Sequence, residues 1–239
     1  MEVMIPVSPR RLIRLLIFGV VGLAFVSIAG ILSADLPVED YFLMEARESF
    51  IRLFALDAEA NIPTWYSSAL LLFCSILLAT IAHAKKSHND AFALHWRFLS
   101  VVLLYLSVDE AAIIHEMATK PMRAMFGTHH GLLHYSWVIP GAVGVIILVL
   151  AYSRFLLELP TKTGVFFCVA GAIFAGGAIG VEAVTGWYFD AHGEADGTYK
   201  AMVTIEEVLE MLGIVVFIYA LLEYMSSFAT EVRFHVDGR

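Results

Sequence analysis

The sequence predicts an all-α, polytopic membrane protein with six transmembrane helices, the third to sixth forming a four-helix bundle around a polar pocket. Three observations predict it. Of 239 residues, 59% are apolar and 16% charged, against ~45–50% and ~25% in a soluble domain. Mean hydropathy is +0.78. Six segments reach the length of about 20 apolar residues that a bilayer requires: residues 12–33, 65–83, 96–117, 134–156, 164–188 and 204–225. The chain reads as one membrane domain, residues 1–239, without an internal repeat.

The first segment follows Arg10, Arg11 and Arg14, a basic run like that of a signal peptide. Its apolar stretch of about 18 residues exceeds the ~7–15 of a signal core, so it reads as an uncleaved anchor. A long loop, 34–64, comes next. In it Leu43, Ala46, Phe50, Leu53 and Phe54 recur at helical spacing. That helix reads equally as one lying in the outer membrane interface and as a packed connector. Asn61-Ile62-Pro63-Thr64-Trp65 reads as a turn into the second segment, with Trp65 at headgroup level.

The third and sixth segments are interrupted by acids. The fourth opens at His134, after His129 and His130, and contains Pro140. The fifth carries a small-residue stripe, Gly171, Ala175 and Ala178, that ends in Glu182; such a stripe lets helices approach closely. In the sixth, Thr204 and Glu207 have the spacing of a capping box.

Basic residues set the orientation. Arg10, Arg11, Arg14, Lys85, Lys86, Arg97, Arg154, Lys162, Arg233 and Arg239 fall on one side; Arg47, Arg52, Lys120, Arg123 and Lys200 fall on the other. The positive-inside rule then puts both termini in the cytoplasm, as expected of a bacterial inner-membrane protein. A net charge of −8 leaves no basic footprint for nucleic acid. Cys74 and Cys168 lie in apolar runs without zinc-site spacing and are expected to pack as small hydrophobes.

The acids carry the functional reading. Of 23 in the chain, seven fall inside predicted segments: Asp109, Glu110, Glu116, Glu182, Glu206, Glu207 and Glu210. A carboxylate at membrane depth costs at least ~2.5–3.5 kcal/mol and is a functional-site hypothesis by default. With the orientation above, all seven lie in the outer halves of their segments, with His115 and His134 beside them. Asp109 and Glu116, seven residues apart, share a helix face within about 20°, with Glu116 about 10 Å further along the axis. Glu206 and Glu210 lie about 40° apart. Lys120, one turn beyond Glu116, offers it a salt bridge.

Repelling carboxylates in an apolar bundle need shared protons or a bound cation. Mixed carboxylate and imidazole donors suit iron, manganese or zinc, and four-helix carboxylate bundles are the physical template. Glu116, Glu182, Glu206 and Glu210 are the expected metal ligands, with His115 or His134 as nitrogen donor. Asp109, Glu110 and Glu207 are the expected catalytic or supporting acids. The sequence therefore points to a metal-dependent hydrolase or oxidoreductase acting on a lipid or quinone-like molecule that enters from the bilayer. The alternatives are a proton- or cation-coupled transporter or channel, a b-type haem protein using His115 and His134 or His83 and His95, and a non-catalytic subunit of a membrane complex.

Overall fold

A computed structural model describes residues 8–34, 36–127, 130–193 and 195–228. Arg233 and Arg239, counted above for orientation, and His129 lie outside these residues. The described residues are helical, without strands. Helix α1 (Pro9–Ala34) is followed by α2 (Tyr41–Phe54), α3 (Ile62–Ser87) and α4 (Ala93–Ala112). Two short helices, α5 (Ile114–Met117) and α6 (Thr119–Phe126), precede α7 (Val138–Glu158). Then come α8 (Thr161–Ala175), a π-helical turn (Gly176–Val181), α9 (Glu182–His192) and α10 (Gly197–Ser226).

Four helical stretches are long and apolar enough to cross a membrane: Pro9–Ala34, Ile62–Ser87, Val138–Glu158 and Thr161–His192. A fifth is reached if Ala93–Ala112 and Ile114–Phe126 count as one span bent by 76°. Helix α10 covers the sixth predicted segment but is not among these. It carries the three glutamates 206, 207 and 210.

Helix α10 is nonetheless the centre of the fold. Met211, Ile214, Val215, Ile218 and Leu221 are each at most 3% exposed, and the helix packs on α1, α3 and α8. Outward faces stay apolar, as lipid contact demands: Leu15, Phe18 and Phe25 on α1 and Ile147 and Leu150 on α7 are exposed. The arrangement therefore differs from a bundle of the third to sixth segments. Helix α4 packs chiefly on α3 and α7 touches mainly α8, while α1 joins the core. Cys74 is buried, whereas Cys168 is exposed on α8.

Lipid gives apolar helices no reason to associate, so close packing and interhelical hydrogen bonds must hold them. Serines supply both on α3 and α4. Ser75 Oγ donates to the Ser100 carbonyl at 2.8 Å and Ser100 Oγ donates back to the Ser75 carbonyl at 2.9 Å. Ser68 and Ser107 repeat the exchange at 2.7 and 2.9 Å. Seven residues separate the rungs on each helix, which keeps both on one face.

The segment between α1 and α3 is fastened to α1. Asp40 caps α2 by accepting from the Leu43 amide. Arg47 donates to the carbonyls of Ser33 and Leu36 at 2.9 and 2.7 Å, and Ser27 Oγ accepts from the Leu56 amide. Asn61 caps α3 through the Thr64 amide. The face carrying Leu43, Ala46, Phe50 and Leu53 stays exposed, while α2 also packs on α1.

Glycine fixes the α8–α10 contact. A Cβ on Gly213 would lie 2.7 Å from the Phe174 amide nitrogen and 3.0 Å from the Ala170 carbonyl oxygen. On Gly171 it would meet nothing within 4 Å. Gly213→Ala is expected to cost about 1–3 kcal/mol, read as a lower melting temperature in detergent. Gly171→Ala is expected to be neutral or to stabilise by up to about 1 kcal/mol.

Candidate functional site

Two departures from regular helix bring the acids together. Helix α4 stops at Ile113, whose φ of 57° and ψ of 40° are left-handed. A β-branched residue adopts that conformation only under strain. The break puts His115 and Glu116 on a separate four-residue helix, so the straight-helix alignment of Asp109 with Glu116 does not hold. Instead the chain folds back, and His115 Nδ1 meets Asp109 Oδ2 at 3.1 Å. The second departure is the π turn immediately before Glu182. Gly177 in that turn lets α10 approach: a Cβ there would lie 2.9 Å from the Glu206 carbonyl oxygen.

Helix α10 differs from its predicted start. It begins at Gly197 behind an Asp196 cap, and Thr204 lies inside it, donating to the Lys200 carbonyl. The capping-box reading of Thr204 and Glu207 therefore fails. All three glutamates sit within a continuous helix, where no free backbone amide satisfies them.

Three of the acids have their own donor. Glu182 Oε1 accepts from Trp137 Nε1 at 2.6 Å. Glu206, buried, accepts from Thr185 Oγ1 at a long 3.4 Å. Asp109 keeps His115, yet its second oxygen, Oδ1, is buried with no partner. Ser67 stands beside Glu110. Among the described residues, no hydrogen-bond donor and no ion-pair partner meets the carboxylate of Glu207 or Glu210.

These groups form one electrostatic neighbourhood. Glu210 lies within reach of Glu207, Glu110, Glu206 and Glu182, and Glu207 within reach of Glu110, Glu206 and Glu59. Glu182 links to Glu116. Glu116 and Glu59 are exposed, whereas Glu110, Glu182, Glu207 and Glu210 are half-buried and Asp109 and Glu206 buried. Helix α7 adds only Trp137, the residue preceding it. Glu116 forms no ion pair with Lys120 among the described residues.

His134 stands apart from the cluster. Its ring packs on Tyr135 and Phe189, and its nearest acid is Asp190, at 3.9 Å. Burial, reinforced by Arg123, holds its imidazole below the ordinary value. Asp190 also accepts from the Gly131 amide at 2.9 Å and faces His130 at 3.1 Å. The four haem candidates do not converge either: His95 stacks on Phe155 at the far end of α4 from His115.

Among the described residues, no three His, Cys, Asp or Glu side chains are placed to hold one metal ion. Sequence reasoning also missed Glu59, Ser67, Thr185 and the Trp137 bond. Glu59 falls in a loop with other acids, and nothing local marks it out.

The family model described as a domain of unknown function (DUF8692) matches residues 12–224, and the chain belongs to that family. No curated protein and no solved structure matches it.

Glu59 gives this site a pH test. Desolvation of its carboxyl and the neighbouring Glu116 raise it above the ordinary 4.5, while His115 pulls it back. The folded state therefore binds the proton more tightly than the unfolded chain, and stability falls as pH rises through that window. Glu59→Gln is expected to melt higher than wild type at neutral pH, with the gap closing on acidification. The residue is exposed, so water screens the effect and the shift is small.

Proposed function

We propose that this member of a family without an assigned activity is a six-span inner-membrane protein whose outer-half carboxylate–histidine chain is the ion site of a proton- or cation-coupled transporter. In this reading both termini are cytoplasmic, α10 is the sixth span and α2 lies in the outer interface. One observation carries it: Glu207 and Glu210, two neighbouring carboxylates on the central helix, lack any donor or basic partner. The repulsion between like charges so placed is relieved by taking up a proton or a cation. Intramembrane Asp, Glu and His chains of this type mark proton relays and ion pathways.

The chain of groups has a direction. Exposed Glu59 and Glu116 stand at its mouth, the His115–Asp109 pair and Glu110 follow, and Glu207 and Glu210 lie innermost. A proton arriving at the outer surface meets titratable groups in succession. The helix break at Ile113 and the π turn before Glu182 flank this path, and transporter ion sites are typically built at such discontinuities.

A metal-dependent enzyme acting on a lipid-like substrate is the second reading. The unpartnered Asp109 Oδ1 favours it, since that buried oxygen is free to ligate. It requires Glu116, Glu182, Glu206 and Glu210, or a subset with His115, to close on iron, manganese or zinc. Metal analysis of the purified protein separates the two: a stoichiometric transition metal, lost in Glu182→Ala and Glu210→Ala, supports the enzyme.

For the transporter, purified protein in weakly buffered detergent is titrated with sodium, potassium, manganese or zinc salts while released protons are counted. Wild type is expected to release protons on binding one of these cations, or to carry protons in liposomes under a pH gradient. Glu207→Gln and Glu210→Gln are each expected to abolish both signals while melting at or above the wild-type temperature. Unchanged signals in both variants overturn the assignment.

A further inference from the structure

The end of the bundle opposite the acids holds a second site. The C-terminal ends of α3, α7 and α10 and the N-terminal end of α4 enclose a cavity of about 320 Å³. Its walls are aromatic: Phe92, Trp96, Phe155, Tyr224 and Phe228 line it. Trp96 stacks on Tyr224 at 4.9 Å and meets Phe155 edge-on at 4.8 Å, which fixes the rings with no ligand needed to order them.

The chain's own ammonium group shows what these walls attract. Lys85 Nζ lies 5.2 Å from the centre of the Tyr224 ring and 5.1 Å from that of Phe228. It also faces Asp90 at 3.4 Å. Aromatic faces carry negative charge density and hold cations in this way. Asp90 is thereby used, by Lys85 and by the Phe92 amide that it caps.

Glu158 is not used. It lines the same cavity, is exposed, and among the described residues forms no ion pair. It is also the last residue of α7, where the helix dipole disfavours an anion. The nearby Lys162 is engaged by Glu223. The cavity thus combines two carboxylates with one lysine, and its unspent charge is the Glu158 carboxylate beside aromatic walls.

We propose that this cavity binds a small organic ammonium group, held by Glu158 against the aromatic walls. Two sources offer that chemistry: the headgroup of an aminophospholipid in the adjacent leaflet, and a free amine. The inference does not depend on what the acid cluster does.

Purified full chain in a maltoside detergent is titrated with tetramethylammonium, with ethanolamine and with short-chain phosphatidylethanolamine, following tryptophan fluorescence and calorimetric heat. Phosphatidylglycerol is the anionic control. Wild type is expected to bind at least one ammonium probe and not the control. Glu158→Gln is expected to weaken that binding about tenfold without lowering the melting temperature, because the residue is exposed. Binding of the lipid alone identifies the headgroup; equal binding of the free amines identifies a solute. Absence of ammonium binding in wild type, or undiminished binding in Glu158→Gln, overturns the proposal. Glu207→Gln serves as the comparison: it is expected to leave ammonium binding intact.

Discussion

Negative charge without a counter-charge is the constraint on which this molecule depends. Helix α10 buries its lower half among α1, α3 and α8, and among the described residues no lysine or arginine pairs with Glu207 or Glu210. The acids are therefore compensated from elsewhere. Trp137, Thr185 and His115 each give one donor to a different carboxylate, which spreads the burden over three elements. Glu207 and Glu210, on the central helix, have none among the described residues. Everything nearby serves to place these groups: the left-handed Ile113 turns His115 back towards Asp109, and Gly177 lets the fifth stretch close on the sixth.

Much of this was legible in the residues. Membrane class followed from composition, and every predicted segment overlaps a helical stretch, although the third is broken at Ile113 and the fourth becomes helical only at Val138. Gathering of the acids followed from orientation and position alone, since segments that run alternately outward and inward put Asp109, Glu182 and Glu210 at one end. Pairing was less legible. Thr204 and Glu207 carry the letters of a cap, but the helix starts a full two turns earlier, at Asp196. Glu116 looked like an extension of the α4 face because nothing in Ala111-Ala112-Ile113-Ile114 signals a stop. A helix that ends on isoleucine in a left-handed conformation is held by its tertiary surroundings, and single-residue preferences point the other way. The Trp137 bond to Glu182 joins residues 45 apart, beyond any local pattern.

The two ends of α10 meet different chemistry on one rigid rod. At the acid end, carboxylates outnumber their partners. At the other, the rings of Tyr224 and Phe228 meet the Lys85 ammonium. The residues between, Met211 to Leu221, are packed too tightly to admit solvent, so the two regions are insulated from each other by a dry apolar layer.

The π turn at Gly176–Val181 has a consequence for how the chain tolerates change. A π turn is an α-helix carrying one surplus residue, with its hydrogen bonds reaching one position further. Removing one residue from this turn would restore regular winding and leave the flanking segments in register, because the turn already absorbs the extra position. What such a deletion would alter is local: the backbone at Gly177, against which the Glu206 carbonyl packs. The turn is thus a spacer, and its effect is confined to the wall that faces α10.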